Sequence, residues 1–79
     1  MQYIATFHSH FGATRFHKTL RGEKVKCVLK PVPRRVSSSC GTCAVFETDG
    51  DALRFASEDV DGIYREVEEG FELLWQHSD

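Results

Sequence analysis

At 79 residues, with 41% hydrophobic and 28% charged content, the chain has the size and composition of one small globular domain, residues 1–79, rather than of a disordered, fibrous or membrane protein. A core this small is marginal without a staple, a metal or a partner subunit, so self-association as a homodimer is an expectation from size alone. The net charge of −2 hides an asymmetry: residues 1–40 hold eight Lys and Arg against Glu23, while residues 41–79 hold Arg54 and Arg65 against eleven acids. Halves of +7 and −9 predict mutual complementarity within the fold, or attraction of the basic half to an anionic partner.

In chain order, Tyr3-Ile4-Ala5-Thr6-Phe7-His8 alternates between two faces and predicts a first strand. From Ser9, a good N-cap, Ala13, Phe16 and Leu20 fall at helical spacing with Gly22 as a stop. Val25, Cys27 and Leu29 then alternate with Lys24, Lys26, Val28 and Lys30 in a second strand that Pro31 and Pro33 end, which places Cys27 among core positions. Residues Cys43-Ala44-Val45-Phe46-Glu47-Thr48 predict a third strand closed by Asp49-Gly50, and 52–56 are left as connection. Ser57 followed by Glu58 and Asp59, with Val60, Ile63, Tyr64 and Val67 at i, i+3, i+4 and i+7, predicts a second helix that Gly70 stops. Phe71, Leu73 and Trp75 form a last strand, and His77-Ser78-Asp79 a tail.

The order β-α-β-β-α-β most simply gives an α+β, ferredoxin-like sandwich: a four-stranded antiparallel sheet with two helices on one face. Such a sheet leaves a second face to cover, and Tyr3, Phe46 and Leu74 are candidates for a homodimer contact there. No stretch is long and apolar enough for a membrane span. Met1-Gln2-Tyr3-Ile4 opens without a leader-like pattern, and three cysteines argue against a secreted disulfide framework, so a cytoplasmic protein with reduced thiols is expected. A nucleic-acid partner is supported only weakly, by the basic half: zinc-finger spacing, an aromatic single-strand signature and net positive charge are all missing.

The chemistry concentrates in the loop 31–43. Cys40 and Cys43 form a Cys-x-x-Cys pair in the polar stretch Ser37-Ser38-Ser39-Cys40-Gly41-Thr42-Cys43, behind the stiff basic run Pro31-Val32-Pro33-Arg34-Arg35. Two thiols at this spacing suit redox chemistry, metal binding or sulfur handling, because one can resolve or share what the other carries. The expected topology brings this loop to the end of the first strand and the start of the first helix, beside His8, Ser9 and His10. Helix dipole and guanidinium groups there would favour a thiolate. Cys40, Cys43, His8 and His10 are then alternative ligands for a zinc ion.

The segments Tyr3-Ile4-Ala5-Thr6-Phe7-His8-Ser9-His10-Phe11-Gly12-Ala13, Pro31-Val32-Pro33-Arg34 and Ser38-Ser39-Cys40-Gly41 together resemble the selenium/sulfur (Se/S) carrier-like family of small proteins, over residues 1 to about 47 well and more loosely beyond. The resemblance implies a carrier that holds sulfur or selenium as a persulfide or selenosulfide on Cys40 and passes it on. Its partners would be a donor, such as a cysteine desulfurase-type enzyme, and an acceptor enzyme. In that setting Cys43 is read as the resolving thiol, and Arg34, Arg35, Ser39 and Gly41 as the anion- or partner-binding part of the loop. No resident cofactor is implied. The alternatives are a thiol/disulfide redox domain and a zinc-binding interaction module. No substrate pocket, nucleotide loop or acid/base dyad stands out, so a carrier is favoured over a stand-alone enzyme.

Overall fold

A computed structural model describes residues 1–36 and 38–78; Ser37 of the expected loop and Asp79 of the expected tail lie outside the described residues. The elements are β1 (Gln2–Phe7), α1 (His10–Gly22), β2 (Lys26–Pro31), β3 (Thr42–Glu47), a 3-10 turn (Ala52–Phe55), β4 (Val60–Val67) and β5 (Gly70–Gln76). All strand pairs are antiparallel, in the order β2-β3-β1-β4-β5. This corrects the ferredoxin-like expectation: among the described residues there are five strands and one α-helix.

The error lies in residues 57–67, where the helical spacing has another origin. Phe7 pairs with Val60 but Ala5 with Ile63, so the register slips and β4 carries an extra residue at Asp61. That bulge turns Val60 and Ile63, three positions apart, onto one face of a strand. The residue types suit a strand as well: Val60, Ile63, Tyr64 and Val67 are β-branched or aromatic, and Gly62 would weaken a helix. Ser57 does use its side chain, accepting from the Asp59 amide at 3.3 Å, but it closes a turn rather than starting a helix. The residues left as connection form the 3-10 turn, whose Ala52 and Phe55 are buried.

The remaining elements follow from local chemistry. Ser9 caps α1 by accepting from the Gly12 amide at 3.2 Å, and Ala13, Phe16 and Leu20 line its buried side. Gly12 lets α1 and the Asp59 segment approach closely, since a Cβ there would stand 3.0 Å from the Asp59 Cβ. Against α1 the sheet presents Ala5, Phe7, Cys27, Ala44, Phe46, Val60 and Ile63, with Tyr3, Leu29 and Trp75 at the margin. Phe46 and Tyr3 therefore belong to the helix side, not to a free face. Phe16 meets Phe7, Phe46 and Phe55 edge to face at centroid distances of 5.2, 5.5 and 6.5 Å, a geometry that adds to simple area burial.

The second face of the sheet is also covered. Ile4 and Thr6 point away from α1 yet are 4% and 1% exposed. Their cover is the β2–β3 connection. Val36 on that connection is 5% exposed and stands apart from the helix-side cluster. The next residue back, Arg35, donates from Nη1 to the Glu69 carbonyl at 2.7 Å, in the β4–β5 turn at the opposite end of the sheet. The segment thus runs back along the helix-free face, and β1 is buried on both sides. Leu73 and Val28, farther out on that face, stay half exposed.

Truncating the aromatic centre should be severe: Phe46→Ala is expected to cost about 3–5 kcal/mol, read from the shift of the urea midpoint at constant m-value.

Candidate functional site

The site is the end of the β2–β3 connection, where the chain returns into the sheet. Pro33-Arg34-Arg35-Val36 closes a turn through the Val36 amide and the Pro33 carbonyl at 3.0 Å, and the Val32 amide bonds the Gly41 carbonyl at 3.1 Å, pinching the loop at its base. Gly41 has φ 77° with nothing near its missing Cβ, so its requirement is purely conformational. Between these fixed points lie Ser38, Ser39 and Cys40.

All three cysteines are free thiols in distinct environments. Cys40 is half-buried, its sulfur donating to the Thr42 carbonyl at 3.4 Å while its flank packs on the helix-side core. Cys43 is fully buried in β3, on the face opposite α1, and donates to the Pro31 carbonyl at 3.7 Å. Burial pushes the Cys43 thiol up; the cross-strand neighbour Lys30 pulls it down, and the nearby Cys40 raises it again. Cys27, buried against α1, is pushed up to about 11 by desolvation alone. Both buried thiols therefore stay protonated at neutral pH, and Cys40 is the most accessible of the three.

The flanking residues separate. His10, the first residue of α1, lies against the loop, its Nδ1 3.3 Å from the Thr42 hydroxyl. His8 turns elsewhere, with Nδ1 3.8 Å from an Asp61 carboxylate oxygen and its ring against His77 at 5.1 Å. The expected tail is thus tied down at His77, whose amide also bonds the Asp61 carbonyl at 2.9 Å. Arg34 is exposed and Arg35 is engaged at Glu69, while Ser39 and Gly41 are exposed at the tip. Ser38 Oγ is buried with no hydrogen-bond partner among the described residues. Among the described residues no group of three or more His, Cys, Asp and Glu side chains is arranged to hold a metal ion.

Two contributors escaped the sequence reading. Lys30 faces Cys43 only because β2 and β3 pair with Lys30 opposite Cys43, and a lysine in an alternating strand gives no hint of that. Val36 was legible in principle as the lone large apolar residue after a Pro-Arg run, a sign that the loop folds back onto something.

Comparison with known proteins adds one match. A family model described as "Putative Se/S carrier protein-like" covers residues 2–73. No curated protein and no solved structure matches the chain. No helix is long and apolar enough to cross a membrane among the described residues.

The exposure order sets a labelling order. Iodoacetamide should modify Cys40 first, with Cys43 and Cys27 slower by at least about tenfold at pH 8, since both are buried and a raised thiol pKa lowers their thiolate fraction. Peptide mapping of partially labelled protein checks this.

Proposed function

Because the chain belongs to the Se/S carrier protein-like family, we propose that it accepts a sulfur or selenium atom on Cys40 and delivers it to a partner enzyme. The observation that carries the reading is the division of the thiols: Cys40 is half-buried on a pinned glycine loop, while Cys27 and Cys43 are buried. A carrying thiol must be reachable for loading and unloading, yet sheltered from indiscriminate attack. Cys40 meets both needs.

The chemistry is sulfur exchange. The Cys40 thiolate attacks the terminal sulfur of a persulfide on a donor, such as a cysteine desulfurase-type enzyme. A new S–S bond forms on Cys40, the donor's S–S bond breaks, and the donor leaves as a thiolate. An acceptor nucleophile then attacks the outer sulfur, and Cys40 departs as thiolate. With selenium the same electron flow passes through a Cys40–S–SeH selenosulfide. The transferred atom is cargo, and the scheme calls for no resident cofactor.

In this scheme Cys43 is the resolving thiol. Its attack on the inner sulfur of a loaded Cys40 would expel hydrosulfide and leave a Cys40–Cys43 disulfide, which a two-thiol reductant must reopen. The elevated Cys43 pKa restrains that attack at neutral pH, so cargo is held rather than lost. Ser38 Oγ, Ser39 and the exposed Arg34 are the loop's donors toward an anionic persulfide, and Gly41 leaves its tip open. Arg35 contributes by fixing the loop to the β4–β5 turn.

Incubation with a cysteine desulfurase, cysteine and pyridoxal phosphate should add one sulfur atom to the intact mass, removable by dithiothreitol, and Cys40→Ser should abolish it. A wild type that never takes up the atom from persulfide or selenosulfide donors would overturn the reading. Cys43→Ala should keep loading and slow hydrosulfide release several-fold, and in the wild type that release should quicken as pH rises and Cys43 ionises.

A further inference from the structure

Folding neutralises only part of the basic half. Arg15 pairs with Asp59 and Arg35 bonds the Glu69 carbonyl, while Glu23, the one acid of this half, is taken by Arg54 from the other. Among the described residues, Arg21, Lys24, Lys26 and Lys30 enter no ion pair; Glu47 stands across the β2–β3 pair from Lys26 without closing to 4 Å. These four cations lie along one border of the molecule. β2 is an edge strand. Lys26 and Lys30 flank Val28, 46% exposed, on the face away from α1. At the start of the strand, His17, Arg21, Lys24 and Lys26 surround an open groove of about 500 Å³ that also includes Val25 and Cys27. Lys24 sits there at φ 61°, just past the end of α1, in the left-handed region that favours glycine.

The spacing decides the kind of ligand. Lys26 and Lys30 are about 13 Å apart along the strand, too far for one small anion to bridge but matched to the alternate side chains of an extended peptide. We infer that the β2 edge is a docking strip for an extended acidic segment of a partner protein, which adds to the sheet as a sixth strand. Its backbone pairs with the outer groups of β2. Acidic side chains four positions apart meet Lys26 and Lys30, and an apolar side chain between them meets Val28. Lysines on an edge discourage pairing with neutral or basic strands, so the same charges select an acidic one. The strip leads to the thiols: β2 ends at Pro31, which pairs with Thr42 two residues after Cys40. A strand seated here brings its owner to the cysteine loop.

The docking holds whether or not Cys40 carries a chalcogen, so it is tested on the full chain bearing Cys40→Ser. The probe is a seven-residue peptide with glutamate at its second and sixth positions, valine at the fourth and threonine elsewhere, so that both acids and the valine share one face of the strand; it is titrated into ¹⁵N-labelled protein. Expected are amide shifts concentrated in residues 24–31, affinity falling by about tenfold or more between about 50 and about 500 mM salt, and loss of binding in Lys26→Glu/Lys30→Glu. The charge-reversed protein should regain binding to a lysine-substituted peptide, which shows that it is folded. Shifts centred on β5, or none at all, would overturn the assignment. So would an equal response to a single-stranded oligonucleotide of matched charge, or a salt-sensitive self-association that Lys26→Glu abolishes while the peptide has no effect; the latter would make the occupant the acidic β4–β5 hairpin of a second copy.

Discussion

One helix can cover only one face of a five-stranded sheet, and β1, between β3 and β4, is buried on both. Ile4 and Thr6 are as inaccessible as Ala5 and Phe7, so the face without α1 must be closed by irregular chain. The connection between β2 and β3 does this with Val36 as its apolar contact and Arg35 as its anchor at Glu69. Burying a single valine and one charge-assisted hydrogen bond are modest terms. Their weight comes from what they cover, because without them the apolar inner positions of β1 and β4 would meet water.

That constraint also arranges the thiols. A loop drawn down over the sheet must return sharply into β3, and the turn at Gly41, with positive φ, is where it does so. Cys40 lies just before the turn and keeps part of its surface in solvent, whereas Cys43 lies just inside the strand under the loop and loses all of it. Three residues of separation thus divide a partly exposed thiol from a fully buried one. At Cys43 desolvation prevails over the cationic neighbour: Lys30 lowers its pKa, but burial outweighs it.

Charge is distributed by the same geometry. Arg15 to Asp59 joins α1 to the segment before β4 as basic half to acidic half, while Arg54 to Glu23 ties the 3-10 turn to the end of α1 with the charges the other way round. The cations of β2 lie on the far border, across the sheet from the acids of the β4–β5 hairpin, and geometry keeps the two apart. Internal neutralisation and a residual basic edge therefore coexist, which the sum of −2 conceals.

Local patterns were enough to place β1, α1, β2, β3 and β5 within a residue or two, because capping at Ser9, alternation in the strands and breaks at Gly22 and Pro31 act over a few residues. The family, too, was legible from the Pro-Val-Pro-Arg and Ser-Ser-Cys-Gly segments. Residues 57–67 were not, since a bulge at Asp61 puts Val60 and Ile63, spaced as in a helix, on one face of a strand, and that bulge exists only in pairing with β1. Nor could the sequence rank its thiols: the amino acids determined that a paired-cysteine loop follows a stiff basic run, while only the folded chain decided which sulfur is reachable. Accessibility and desolvation depend on which distant segment lies overhead, and no local pattern of residues encodes that.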